Sequence, residues 1–336
     1  MSWAAQAAKP VEKEDTPLRV VQIDGLVALK MIRHCKENMP SLVTGQLLGL
    51  DIRSILEVTS CFPFPSRAAT DDNTDADLEM DGANYQLEMM RCLREVNVDN
   101  NTVGWYQSTY LGSYQTVELI ETFLNYQENI KRCVCIVYDP HRSSNGVLAL
   151  KALKVKDAFL EMYRKDSISV EKLKQSGNSW DVIFEELPVS IHNSALVKTM
   201  MAELDHQAPA AQCDFDRLGL STNPFLEKNL EFLNECLDDL QVEQQKQVYY
   251  QRNLLRQQQQ QQQWLQKRRQ ENAQRRANGE APLPEEDPNN PIFKAIPEPS
   301  KLDGMLVANQ IHTYCEQING FGKQSISKLN LMKALH

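Results

Sequence analysis

The chain has 336 residues, of which 42% are hydrophobic, enough for one large or two modest domains with packed cores. Its formal net charge of -9 argues against a general nucleic-acid binder, because such a protein needs a basic face to displace counterions from phosphates. No run approaches the roughly 20 apolar residues that span a bilayer, and the first residues lack the apolar segment of a signal peptide. We therefore expect a cytoplasmic protein with no membrane partner.

Strand and helix signals alternate from residue 18 to about residue 190, after an N-terminal stretch (1–17) that shows no periodicity and is predicted to be disordered. Predicted strands cover residues 18–23, 43–50, 54–62, 103–106, 133–138, 146–155 and 184–191, and predicted helices cover 26–37, 85–96 and 116–127. The first domain (18–190) is therefore predicted to be α+β, a mixed sheet flanked by helices. The acidic segment 66–81 is interpreted as a solvated loop, since Gly82 and the residues after it do not fit a calcium-binding loop.

The cysteines are interpreted as reduced structural thiols. The sequence has eight of them but no C-x-x-C pair and no histidine at zinc-ligand spacing. Cys133 and Cys135 alternate on one predicted strand, which predicts that both face the core together.

Strand signals stop after residue 190, and residues 191–276 are predicted to be an all-α assembly region with helices over 194–206 and 224–276. The long helix begins with a leucine heptad that gives way to glutamines, so its Gln257–Gln263 run is expected to be exposed or frayed. A proline-rich linker (277–300) and C-terminal helices over 302–318 and 325–335 follow. The apolar stripes of both helical regions predict contacts with a partner subunit, through Leu226, Leu230, Leu233, Leu237, Leu240, Leu306 and Ile311.

Two alternatives stay open for this helical region. The leucine stripe could instead fold back on the first domain or on the 302–318 helix. The basic cluster Lys267, Arg268 and Arg269 is a candidate RNA contact, but cations near a helix C-terminus are also stabilised by the helix dipole without any ligand.

One segment carries the functional argument: Val103-Gly-Trp-Tyr-Gln-Ser-Thr-Tyr110, which follows Pro40-Ser-Leu-Val-Thr-Gly45 and precedes Ile136-Val-Tyr-Asp-Pro140. This order resembles the MPN domain, whose active members use two histidines and an aspartate to hold zinc, with a glutamate and a serine assisting cleavage of isopeptide bonds. The matching positions here are Leu42 for the glutamate, Gln107 and Thr109 for the histidines, Val117 for the serine and Ile120 for the aspartate. Zinc needs imidazole, thiolate or carboxylate donors, so we predict no metal, no cofactor, no catalytic residue and no small-molecule substrate.

A closer resemblance covers nearly the whole chain from about residue 18. The segments Cys61-Phe-Pro-Phe-Pro65, Tyr85-Gln-Leu-Glu-Met-Met-Arg91 and Gln310-Ile-His-Thr-Tyr-Cys315 are similar to the h-type subunits of eukaryotic translation initiation factor 3. The resemblance implies a scaffold that pairs with a second MPN-domain subunit, enters a helical bundle with other subunits, and sits on the small ribosomal subunit. The alternatives are an inactive MPN subunit of the proteasome lid or the COP9 signalosome, and a zinc-dependent isopeptidase that removes ubiquitin.

Overall fold

The computed structural model describes residues 17–65, 75–96, 98, 101–144, 148–164, 183–207, 219–222, 224–279, 281, 284, 293–294 and 296–335. The strands are β1 (Val20–Asp24), β2 (Thr44–Ile52), β3 (Ile55–Pro63), β4 (Thr102–Ser108), β5 (Val134–Tyr138), β6 (Leu150–Val155), β7 (Phe184–Leu187) and β8 (Val189–His192). The helices are α1 (Gly25–Glu37), α2 (Asp75–Glu95), α3 (Val117–Asn129), α4 (Pro140–Ser144), α5 (Asp157–Arg164), α6 (Ala195–Gln207), α7 (Phe225–Ala277) and α8 (Leu302–Leu335).

The eight strands form one mixed sheet in the order β7-β6-β5-β4-β2-β3-β1-β8. The two edge strands, β7 and β8, are consecutive in the chain and separated by Pro188 alone. Leu187 of β7 pairs with Ala152 of β6 at one edge of the sheet, whereas Val189 of β8 pairs with Val21 of β1 at the other edge. There the Pro188 carbonyl accepts a hydrogen bond from Val21 N at 3.0 Å. The sheet therefore curls until its edges meet, and the single strand predicted over 184–191 is wrong because the proline divides it between the two edges.

The sheet is covered on both faces, and its central strand shows this most clearly. All five residues of β5 are buried. Val134, Ile136 and Tyr138 pack into a cluster with α1, whereas Cys135 and Val137 pack into a second cluster with α3, α5 and α8. A strand buried on both faces needs a continuous apolar run, which the sequence supplies here. Cys133 lies in the second cluster with Cys135, so both thiols face one core as predicted.

Helix α1 packs against the sheet through one narrow face. Val27, Met31 and Cys35 follow one another at four-residue spacing and are buried with Ala28. Leu29 lies outside this face and is 62% exposed. The burial of Cys35, with desolvation as the main cause, raises the pKa of its thiol to about 12.

Several predicted boundaries also change. Helix α2 begins at Asp75, so residues 75–81 are helical and not the end of a loop, while residues 66–74 and 1–16 lie outside the described residues. Helices α4 and α5 were not predicted. The two predicted C-terminal helices are one continuous helix, α8, which runs through Gly320 and Gly322. Helix α7 has 53 residues, about 80 Å at the helical rise per residue, and the Gln257–Gln263 run is helical within it.

Helices α7 and α8 form an antiparallel hairpin. The rings of Phe225 and Phe321 lie 5.7 Å apart, and those of Phe232 and Tyr314 lie 6.1 Å apart. Leu302 and Leu306, at the start of α8, continue into the second core cluster. The hairpin is thereby joined to the sheet domain through its own side chains. No helix in the described part of the chain is long and apolar enough to cross a bilayer.

Candidate functional site

Three of the five positions that match the catalytic machinery of the MPN domain lie at one end of the β2–β4 pair. The register pairs Thr44 with Gln107, so Leu42 and Thr109 lie two residues beyond that pair. Ser108 closes the end of the pair, because its Oγ accepts a hydrogen bond from Val43 N at 2.8 Å. Leu42 is 65% exposed and Thr109 is 4% exposed. The predicted positions are therefore brought together, but with an exposed leucine where the family has a glutamate.

The other two positions belong to α3, which starts directly after the loop 109–116. Thr116 caps this helix, since its Oγ1 accepts a hydrogen bond from Leu119 N at 3.3 Å. Ile120 is fully buried in the second core cluster, and Val117 packs against the same cluster. Hydrocarbon side chains thus fill the positions where active members carry an aspartate and a serine.

The residues present do not fit a zinc ion. Gln107 offers a neutral amide and Thr109 a buried hydroxyl, while Val117 and Ile120 offer no donor atom. The neighbouring carboxylate of Asp139 is used locally, because its Oδ1 accepts a hydrogen bond from Arg142 N at 3.1 Å at the start of α4. Across the described ranges, no group of three or more histidine, cysteine, aspartate or glutamate side chains is arranged to hold a metal.

The buried thiols are poor nucleophiles. Desolvation raises the pKa of Cys133 to about 12 and that of Cys61 to about 11, so neither is a thiolate at neutral pH. Cys135 is completely buried, and desolvation likewise raises the pKa of its thiol well above the ordinary value.

The loop 109–116 is covered by the chain's own helical hairpin. Gln310 on α8 donates a hydrogen bond from Nε2 to the Gly112 carbonyl at 2.9 Å, and Gln115 donates to Thr313 Oγ1 at 2.9 Å. Gly112 has a φ of 80°, and an added Cβ would collide with the Gln317 amide. The glycine therefore permits both the turn and the close approach of α8.

Tyr110 provides a second set of contacts between this loop and the hairpin. Its ring lies edge-on to Phe232 of α7 at 5.7 Å and edge-on to His141 at 4.6 Å. The ammonium group of Lys228 lies 5.3 Å from the ring centroid and hydrogen-bonds the Tyr110 hydroxyl. The loop that would border a metal site in active MPN domains is thus an intramolecular docking surface in this chain.

The predicted leucine stripe on α7 is divided by this docking. Leu226, Leu233 and Leu240 are half-buried. Leu230 and Leu237 stay 43% and 45% exposed. Helix α8 packs along α7 through Phe225 and Phe232, so part of the apolar surface of α7 is covered within the chain. The partner contacts of the leucines stay a prediction.

The two predicted contact residues on α8 differ in the same way. Leu306 is 3% exposed and lies in the second core cluster of this chain. Its assignment as a partner contact is corrected, since its side chain already packs against the sheet domain. Ile311 is half-buried.

Sequence reasoning assigned no contact residues to α6, although this helix has extensive exposed apolar surface. Leu196 is 82% exposed, and Met200, Met201 and Leu204 are also exposed. The signal was available, because five large apolar residues in 13 positions are more than a solvated helix needs. Unlike the stripe of α7, the apolar residues of α6 do not repeat as a heptad, so the sequence pattern did not indicate a contact surface on this helix.

The central residue of the basic cluster is engaged in contacts within the chain. Arg268 stacks over Trp264 at 5.0 Å, lies 3.4 Å from the Glu271 carboxylate and donates to the Pro284 carbonyl at 3.3 Å. Lys267 and Arg269 are neighbours of Arg268 on the same turn of α7. Intramolecular contacts therefore account for the central member of the predicted cluster.

Comparison with known proteins agrees with this architecture. A family model described as JAB1/Mov34/MPN/PAD-1 ubiquitin protease matches residues 16–132, and one described as the C-terminal region of eIF3h matches residues 143–336. The H subunit of eukaryotic translation initiation factor 3 from Arabidopsis thaliana is 65% identical over 331 residues, covering 98% of this chain and 97% of its own length. The H subunits of Dictyostelium discoideum and Xenopus laevis are 44% and 42% identical, each over 96% of this chain and over 96% and 94% of their own lengths.

Fold and sequence together define an MPN-domain protein in which a helical hairpin covers the loop that follows β4. Within that class the similarity extends along almost the entire chain and includes the C-terminal helices. The chain belongs to the family of H subunits of eukaryotic translation initiation factor 3. The predicted α+β fold with an all-α C-terminal region and the predicted family are both confirmed.

Proposed function

We propose that the chain is a non-catalytic structural subunit of eukaryotic translation initiation factor 3, which supports initiation of protein synthesis on the small ribosomal subunit in the cytoplasm. The observation that carries this proposal is the state of the site: Ile120 fills a ligand position with buried hydrocarbon, and α8 covers the adjoining loop through Gln310. Without a metal there is no Lewis acid to activate water at this position. The relatives are named as initiation-factor subunits, which favours this assembly over the proteasome lid or the signalosome.

We propose two separate surfaces for partner subunits. Leu26 and Leu29 are 64% and 62% exposed on the outer face of α1, one helical turn apart, and would pair the sheet domain with a second MPN-domain subunit. The helical surface comprises Leu230 and Leu237 of α7, and would join a bundle with helices of neighbouring subunits. The same proposal includes direct contact of Lys267 and Arg269 with ribosomal RNA, because cationic side chains bind phosphate oxygens.

The experiment is affinity purification of the tagged full-length chain from cell extract, with mass spectrometry of the partners and elemental analysis of the purified subunit. Initiation-factor subunits with no stoichiometric zinc would support the proposal. One zinc ion per chain together with isopeptidase activity would overturn the non-catalytic role. Recovery of proteasome or signalosome subunits alone would overturn the choice of assembly.

A further inference from the structure

The second half of α7 extends beyond the helix that covers its first half. The pKa of Lys246 is raised mainly by a hydrogen bond to Glu243 and further by the charge of Asp303, which lies in the first turn of α8. Helix α8 therefore begins beside Lys246. Residues 247–277 of α7 continue past it for about 45 Å at the helical rise per residue.

This extending segment is strongly basic, although the chain as a whole is acidic. Residues 247–277 contain seven of the 36 lysine and arginine side chains but only one of the 45 carboxylates, Glu271. The Glu271 carboxylate lies 3.4 Å from the Arg268 guanidinium. Among the described residues, by contrast, Arg252, Arg256 and Lys267 have no carboxylate within ion-pair distance.

Five exposed polar side chains of this segment share one face of the helix. At about 100° of rotation per residue, their positions fall within a sector of about 60° and cover about 27 Å of the helix axis. They form what we call the Arg–Gln face, whose members are Arg252, Arg256, Gln263, Lys267 and Gln270. The face carries three positive charges and no carboxylate.

The linker that follows α7 returns along a different side of the same segment. The rings of Trp264 and Phe293 lie 5.1 Å apart, and Arg268 donates a hydrogen bond to the Pro284 carbonyl at 3.3 Å. Trp264 and Arg268 lie one turn apart, about 100° around the helix axis from the Arg–Gln face. The linker therefore leaves that face exposed.

The helix dipole does not explain the cations of this face. Its effect is confined to the last turn of a helix, whereas α7 ends at Ala277, about six turns beyond Arg256. Arg252 and Arg256 are four residues apart, and like charges at this spacing destabilise a helix. A polyanion that contacts both side chains removes this repulsion.

We propose that the Arg–Gln face binds the sugar–phosphate backbone of double-stranded RNA. Cationic side chains neutralise phosphates, and glutamine amides both donate and accept hydrogen bonds, which suits phosphate oxygens and the 2′-hydroxyl groups of RNA. The presence of RNA beside the chain follows from the proposed function, on which this inference rests. The geometry adds the form of the RNA and the face of α7 that meets it.

Two observations favour duplex RNA over other acidic partners. Single-stranded RNA is bound by stacking its bases on aromatic rings, but the only aromatic residue between Arg252 and Gln270 is Trp264, whose ring packs against Phe293 and Arg268. An acidic protein would also need apolar contacts at the centre of its interface. In the part of α7 that the structure describes, no large apolar side chain is exposed beyond Leu255.

The test is fluorescence anisotropy of the full-length chain with two labelled RNA duplexes of about 16 base pairs and unrelated sequence. Both duplexes should bind with equal affinity, and log Kd should rise with log salt concentration with a slope of about 3, because three cations displace counterions. Arg252→Gln, Arg256→Gln and Lys267→Gln should each reduce this slope by about one, and together they should weaken binding at least about tenfold. The matched control is Lys246→Gln, on the same helix but paired with Glu243, which should change neither value.

The combined variant should stay folded by circular dichroism, because glutamine has nearly the helix propensity of arginine and lysine. Unchanged duplex affinity in this folded variant would overturn the proposal. So would the absence of duplex binding by the wild type, or tighter binding of single-stranded RNA or of polyglutamate than of the duplex. The variant should still recover partner subunits in affinity purification, since Leu230 and Leu237 are unchanged. Loss of duplex binding alone therefore does not touch the proposed function, whereas wild-type chain that recovers no initiation-factor subunit would reject it.

Discussion

At the scale of single residues, the contact between β4 and α1 joins the glycine–tryptophan–tyrosine segment to the first helix. The Tyr106 hydroxyl and His34 Nδ1 lie 2.9 Å apart, and the two rings meet edge-on with centroids 5.9 Å apart. Tyr106 is 1% exposed. Because the contact is buried on the tyrosine side, its hydrogen bond is shielded from competition by water.

Tyr106→Phe should therefore lower the free energy of unfolding by about 1 kcal/mol, the usual net value of one hydrogen bond. Chemical denaturation of the full-length chain measures this change. Tyr249→Phe is the matched control, since Tyr249 is 68% exposed on α7 and should not affect stability. Equal stabilities for Tyr106→Phe and wild type would show that the hydroxyl contributes nothing.

The stability of the chain should also depend on pH through His34. Desolvation lowers the pKa of His34 below its ordinary value of 6.5, against a smaller opposing effect of Glu37. The unfolded state then binds more protons than the folded state below about pH 6.5, so stability should fall as the pH drops through that value towards the folded-state pKa. The free energy of unfolding should decrease between about pH 7.5 and about pH 5.5, and less steeply in His34→Gln. Identical slopes for the two proteins would contradict a partly buried, neutral His34.

At the scale of elements, α3 and α8 restrict the position where active MPN domains hold zinc, in addition to its lack of ligand side chains. Ile120 faces the core, and the loop before α3 is held by Gln310 and Thr313 of α8. A carboxylate placed at position 120 would be desolvated, and the loop could not rearrange without releasing α8.

Restoring the ligand residues should therefore fail to restore the metal. The triple variant Gln107→His, Thr109→His, Ile120→Asp should bind no stoichiometric zinc by elemental analysis. Its free energy of unfolding should fall by at least about 3 kcal/mol, the range found for an uncompensated buried charge. Ile120→Val, the matched change without a charge, should cost only about 1 kcal/mol. One tightly bound zinc ion per triple-variant chain would mean that α8 does not constrain the site.

At the scale of the whole molecule, the chain consists of a sheet domain and a helical hairpin that pack against each other through the start of α8, while other helices keep exposed apolar side chains. The start of α8 lies in the second core cluster, whereas α6 and the outer face of α7 expose Leu196, Leu230 and Leu237. The α1 surface and the helical surface lie on different elements, so their contributions to assembly should be separable.

Leu230→Asp with Leu237→Asp should remove helical-bundle partners from the affinity-purified complex while retaining the second MPN-domain subunit. Leu26→Asp with Leu29→Asp should do the reverse, so each pair serves as the control for the other. All four side chains are exposed, so both variants should stay folded, as circular dichroism would check. Loss of the same partners in both variants, or of none, would contradict two independent surfaces.

The amino-acid sequence by itself determined most strands of the sheet and the residue types at the five positions that match the catalytic positions of the MPN domain. The apolar run of β5 and the heptad start of α7 are local patterns, and ligand identity needs only residue type at matching positions. Local patterns could not reveal that Pro188 separates strands at opposite edges of the sheet, or that α8 continues through Gly320. Only the tertiary structure showed that Leu306 is buried while Leu230 is exposed. An apolar stripe predicts that a helix packs on another surface, but it does not indicate whether that surface belongs to the same chain or to a partner. The same docking of α8 on the sheet domain covers the loop 109–116, which no spacing along the chain could have indicated.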